Sequence, residues 1–143
     1  PGIVTITVTK EEDENYIEWL SSHDGYKMNF KKIVKRKLVI DKRNNEITGI
    51  DEIVSIGMNK TKKIYNIRFH LTPICKTSLT MGKMSVIIKT TNSSYLFKSS
   101  NKLSIEESIF VNNENKIVKT SQIVISGFTH EVKNKISWSI SKY

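Results

Sequence analysis

The chain has 143 residues, 23 Lys and Arg against 14 Asp and Glu, a net charge of +9 and a single cysteine. That length suits one domain and can bury enough apolar surface to fold without disulfides or a structural metal. Lone Cys75 excludes an intramolecular disulfide and a cysteine-based metal site, and no apolar run approaches the roughly 18 residues of a membrane-spanning helix.

Alanine is absent and leucine sparse, while Ile, Val, Thr and Ser are abundant. That mixture suits pleated, half-buried strands better than helices. In chain order, the hydrophobic period is two nearly everywhere. Val4, Ile6 and Val8 alternate with threonines and predict a strand with one buried face. Residues 11–15 form an acidic turn, and a second strand around Tyr16–Leu20 ends at the turn His23-Asp24-Gly25. From Tyr26 to Ile40 the pattern reads as one long strand, or two joined at a bulge, with Arg36 interrupting the apolar face. Residues 41–45 supply a hairpin turn, and Ile47–Val54 returns.

A polar, basic connection over 55–63 precedes the cleanest strand. There Tyr65, Ile67, Phe69 and Leu71 face one way, and Asn66, Arg68 and His70 the other. Pro73 cannot donate to a ladder, so 72–83 reads as a loop or short edge. A regular meander follows, with strands near 84–91, 94–99, 103–111, 116–126 and 131–141. Turns at this spacing predict an all-β fold, an antiparallel β-sandwich of about ten strands occupying 1–143 as a single domain.

Chemistry is sparse. The chain holds no glycine-rich phosphate loop, no His-Glu-x-x-His, no nucleophile elbow and no pair of cysteines. His23 beside Tyr26 either shuttles protons or merely satisfies its turn. The Asn66/Arg68/His70 row either meets carboxylates or sulfates, which a guanidinium pairs with through two parallel bonds, or forms a solvated outer face. Arg36 reaches a strand edge or pairs with a carboxylate such as Glu106 or Glu107. Trp19 and Trp138 fall in apolar phase and read as core. His130 reads as a surface residue. The positive charge permits a polyanionic partner but does not choose one.

The segment SHDGYKMNFKKIVKRKL (22–38) resembles a stretch of the bacterial heparinase II/III-like proteins. Later blocks agree in order: IRFHLTP (67–73), SVIIKTTNSSYLFKSS (85–100), LSIEESIFV (103–111), SQIVISG (121–127) and ISWSISK (136–142). The resemblance covers most of the chain from about residue 15 onward. It implies the later part of the antiparallel β-sandwich region of a polysaccharide lyase, with a helical toroid upstream on the same chain. It further implies β-elimination on uronic-acid-containing polysaccharides, an acidic polysaccharide as partner, and a periplasmic address. Two positions depart from the family pattern: Val34 and Thr72 stand where histidines are common.

In that family the acting Tyr and His and the metal ligands of some members lie upstream. No catalytic residue, metal ligand or cofactor is therefore expected here. His23, Arg36, Arg68 and His70 remain as substrate-side candidates. The first residue is Pro1, and the chain is expected to be a piece of a longer protein that is not catalytic alone. The alternative is a non-catalytic module binding acidic glycans. Nucleic acid is not expected, because Tyr65 and Phe69 take the face opposite Arg68 and His70.

Overall fold

A computed structural model describes residues 4–57 and 62–143. Part of the expected 55–63 connection thus lies outside the described residues. The chain divides into two compact units, the first holding 1–64 and 128–139 and the second 65–127 and 140–143.

In the first unit β1 (Ile6–Glu12), β2 (Tyr16–His23), β3 (Lys32–Asp41), β4 (Glu46–Ser55) and most of β11 (Lys133–Lys142) follow one another across a sheet in that order. Two Asx turns explain the tight hairpins. Asp13 Oδ1 accepts from the backbone N–H groups of Asn15 and Tyr16 at 2.7 and 2.8 Å. Asp41 Oδ1 accepts likewise from Arg43 at 2.9 Å, and Asn45 supplies the left-handed residue with φ 51°. Such carboxylates offer the backbone a partner just where the strand ladder stops.

Register follows from those turns. Asp41 faces Glu46, so Arg36 faces Asp51; on its other side Arg36 faces Ser21. Two features of this unit differ from the alternation expected. The stretch Tyr26–Lys31 is not strand: Lys27–Phe30 make a single helical turn, α1, closed by Lys31 in the left-handed region at φ 53°. Four residues are too few for any hydrophobic period to declare itself. β1 also lacks the buried face its pattern implied. Ile6 and Val8 are 69% and 62% exposed: β1 is an edge strand, and its apolar side stays largely open among the described residues.

In the second unit β6 (Lys76–Leu79), β7 (Ser85–Lys89) and β8 (Ser94–Ser99) form antiparallel neighbours, with the last residues of β11 beside β8. A separate sheet orders β5 (Ile64–His70), β10 (Ile117–Phe128) and β9 (Leu103–Val111). The two layers bury Val86, Phe97, Ile123 and Ile125 completely. Phe69 of β5 meets Phe97 of β8 edge-on, with ring centroids 4.9 Å apart, the arrangement aromatic quadrupoles favour. Tyr65 lies across Gly127, where a side chain would overlap its phenol, and its hydroxyl accepts from Asn101 Nδ2 at 2.8 Å. Burial pushes that phenol's pKa above its ordinary value.

The fold is thus all-β and antiparallel as expected, with eleven strands among the described residues and almost no helix. The segment read as loop or short edge holds β6, four residues long. No helix of the described residues is long and apolar enough to cross a membrane.

Candidate functional site

Sequence candidates gather in two places. In the first unit, β3 carries Arg36 and β4 carries Asp51 directly opposite. Arg36 Nε donates to Asp51 Oδ1 at 2.6 Å and its Nη2 to Oδ2 at 3.0 Å, a bidentate pair. Trp138 Nε1 donates to the same Oδ2 at 2.9 Å, and the guanidinium sits 5.7 Å from the indole ring centroid. The Asp51 side chain is 4% exposed, the Arg36 side chain 40%. An open cavity of about 420 Å³ lies over this row, lined by Val4, Ile6, His23, Val34, Arg36 and Asp51 among others. His23 packs against Tyr26 with ring centroids 5.4 Å apart.

The cavity therefore brings His23 and Arg36 together. It also shows what occupies the guanidinium: Asp51, rather than Glu106 or Glu107 as anticipated. An anionic group entering here would compete with a buried carboxylate already held by two bonds from Arg36. The site is polar but charge-balanced.

The row in the second unit is solvent-facing as its period implied, with Asn66, Arg68 and His70 exposed. Asn66 has its partner on the adjacent strand β10, whereas Arg68 and His70 reach across β10 to partners on β9. Ser126 Oγ donates to Asn66 Oδ1 at 2.7 Å. Arg68 Nη1 donates to Glu106 Oε2 at 2.5 Å, and His70 Nδ1 lies 2.7 Å from Ser108 Oγ. Val124 of β10, fully buried, and Gln122, 8% exposed, lie on the intervening strand. Gln122 Nε2 donates to the Glu107 carbonyl at 2.9 Å.

Other perturbed groups lie away from both rows. Burial, then nearby Lys63, lowers the pKa of Lys32, whose ammonium donates to Ser55 Oγ at 2.5 Å. Hydrogen bonds from Lys10 and Lys42 bring Glu12 down to about 2. Among the described residues no three His, Cys, Asp or Glu side chains are grouped to hold a metal. Trp138 is buried as expected, whereas Trp19 is only half-buried, with Lys10 Nζ 5.6 Å from its ring centroid. His130 is exposed, as expected.

The fold defines an antiparallel β-domain, and comparison with known proteins relates that domain to polysaccharide lyases. The chain belongs to the family described as Heparinase II/III-like, C-terminal, whose pattern matches residues 2–139. Its fold is similar to that of the heparan sulfate lyase HepC from Pedobacter heparinus, with TM-score 0.77 and 12% identity over 96% of this chain and 22% of that one. It is similar also to a heparinase III gene product, with TM-score 0.78 and 11% identity over 96% of this chain and 21% of that one. The chain thus spans about a fifth of the length of these structures. No curated protein sequence matches it.

Proposed function

We propose that the chain is the C-terminal β-sandwich domain of a lyase that cleaves uronic-acid-containing polysaccharides by β-elimination, and that it is not catalytic alone. The observation that carries this reading is the family match over residues 2–139. Elimination removes the weakly acidic proton beside the uronate carboxyl, breaks the bond to the neighbouring sugar oxygen and leaves a double bond. It therefore needs a base, a proton donor for the leaving oxygen, and cations or donors that offset charge growing on the carboxylate. The two rows offer little of this set. Arg36 is matched by Asp51, and Arg68 by Glu106. The reacting groups then belong to a helical toroid and adjoining strands upstream on the same polypeptide. The same reading gives a bacterial, periplasmic location, which cell fractionation tests.

Incubation of the purified chain with heparan sulfate, followed by ultraviolet absorbance, is expected to yield no unsaturated uronate product, while the polypeptide that contains the chain yields it. Elimination by neither, on any uronate polysaccharide, would remove the lyase reading. A second reading, a non-catalytic module for acidic glycans, is favoured by the net charge of +9.

A further inference from the structure

The positive charge is not spread along the chain. Between Ile53 and Ile105 there is no Asp or Glu, and this stretch holds nine of the 23 Lys and Arg residues; elsewhere 14 cations meet 14 carboxylates. The whole net charge is thus concentrated in about a third of the sequence.

Three of those nine cations, Lys76, Lys89 and Lys98, lie on β6, β7 and β8 of the second unit. Val86, Ile88 and Phe97 turn inward and are buried. Period two then places Lys76 and Ser78, then Ser85, Ile87 and Lys89, then Ser94, Leu96 and Lys98 on the opposite face. Lys76 stands directly opposite Lys89, and Lys98 opposite Ser85; all three lysines are exposed. At the Lys98 end the Leu103 N–H donates to the Lys83 carbonyl at 2.7 Å, drawing exposed Lys83 and Lys102 beside it.

The carboxylates of this unit, Glu106, Glu107 and Glu114, all lie on β9 or in the turn after it. Glu106 is engaged by Arg68 and Glu114 by Lys116. Like charges directly opposite on a sheet cost stability, and the Lys76–Lys89 pair has no acid on its own face to offset that cost. A bound polyanion would.

We propose that this face of β6, β7 and β8 docks an acidic polysaccharide. Lysines at its two ends take carboxylates or sulfates as compact point charges, and Ile87 and Leu96 between them meet the apolar side of a sugar ring. The choice of a glycan rests on the lyase reading above. It is supported by the placement of the aromatics: Phe97 is inside and Tyr95 shares its layer's inner phase, so the face lacks the rings on which nucleobases stack.

The test is retention of the purified chain on immobilised heparin across a salt series. Replacing Lys76, Lys89 and Lys98 by glutamine is expected to move elution to clearly lower salt. The slope of log affinity against log salt should fall by about three, roughly one per lost ion contact. The triple variant of Lys37, Lys133 and Lys135, which lie in the first unit beside Glu18 and Glu52, removes the same charge and should elute close to the parent. Thermal unfolding of each variant confirms that it is folded.

Failure of the parent to bind, equal shifts in both triples, or equally tight binding of single-stranded DNA of matched charge would overturn the proposal. If the lysine face fails while the containing polypeptide still eliminates uronates, the docking surface alone is wrong. If the face binds and no elimination is found, the lyase reading alone is wrong.

Discussion

The indole of Trp138 lies directly over the Cα of Gly49, one strand away, so closely that any side chain at position 49 would overlap Cζ2 and Cε2 of the ring. The glycine is needed for space rather than for an unusual backbone angle. With Trp138 6% exposed and its N–H committed to Asp51, the indole cannot move without giving up that bond. Gly49→Ala is therefore expected to cost about 3 kcal/mol, the upper end of ordinary overpacking, measured by urea denaturation. A change below about 1 kcal/mol would show that the indole has room to shift.

Asp51 is the hinge of the same cluster. Breaking a buried ion pair by removing one partner typically costs about 3–5 kcal/mol. The partial exposure of Arg36 puts Arg36→Leu near the lower figure. Asp51→Leu should be at least as damaging, since it takes one hydrogen-bond acceptor from both the guanidinium and the indole N–H. The double replacement should cost less than the sum of the two, and strict additivity in a double-mutant cycle would contradict the coupling.

In the second unit Phe97 is fully buried against Phe69. Phe97→Ala removes an aromatic from a two-layer core and is expected to cost about 3–5 kcal/mol. Phe97→Leu, which keeps much of the volume, should recover most of that loss in the same denaturation experiment.

Acid sensitivity has a local source in Glu12, held down to about 2 from an ordinary 4.5 by hydrogen bonds from Lys10 and Lys42 and by their charges. A carboxyl depressed on folding stabilises the fold fully above its unfolded pKa, and that contribution fades as pH falls toward the folded one. The window is thus between about 4.5 and 2. Glu12→Gln should flatten the fall in stability across it, and NMR titration should place the native Glu12 midpoint well below 4. A midpoint near 4.5 would mean the lysines do not engage it.

Much of this was legible in the chain and some was not, for physical reasons. The strand Ile64–His70 declared both its faces because one side of its sheet is solvated, which forces strict alternation. The partner of Arg36 was within reach too. Counting outward from the turn at 41–45 pairs Asp41 with Glu46 and hence Arg36 with Asp51, so the register held the answer that charge alone misassigned to Glu106 or Glu107. The role of Trp138 was not legible: it joins Asp51 from 87 positions away, and no local pattern specifies which distant strand lies beside β4. Nor was the helical turn Lys27–Phe30, whose length is below one hydrophobic repeat.

The central claim is that this β-domain serves a polysaccharide lyase without performing the chemistry. The most direct measurement is ultraviolet detection of unsaturated uronate ends when the purified 143-residue chain is incubated with heparan sulfate. The account expects a flat trace, with absorbance rising only when the containing polypeptide is supplied. A steady rise from the chain alone, abolished by substitution of His23 or Tyr26, would place a complete catalytic site inside it and contradict the account.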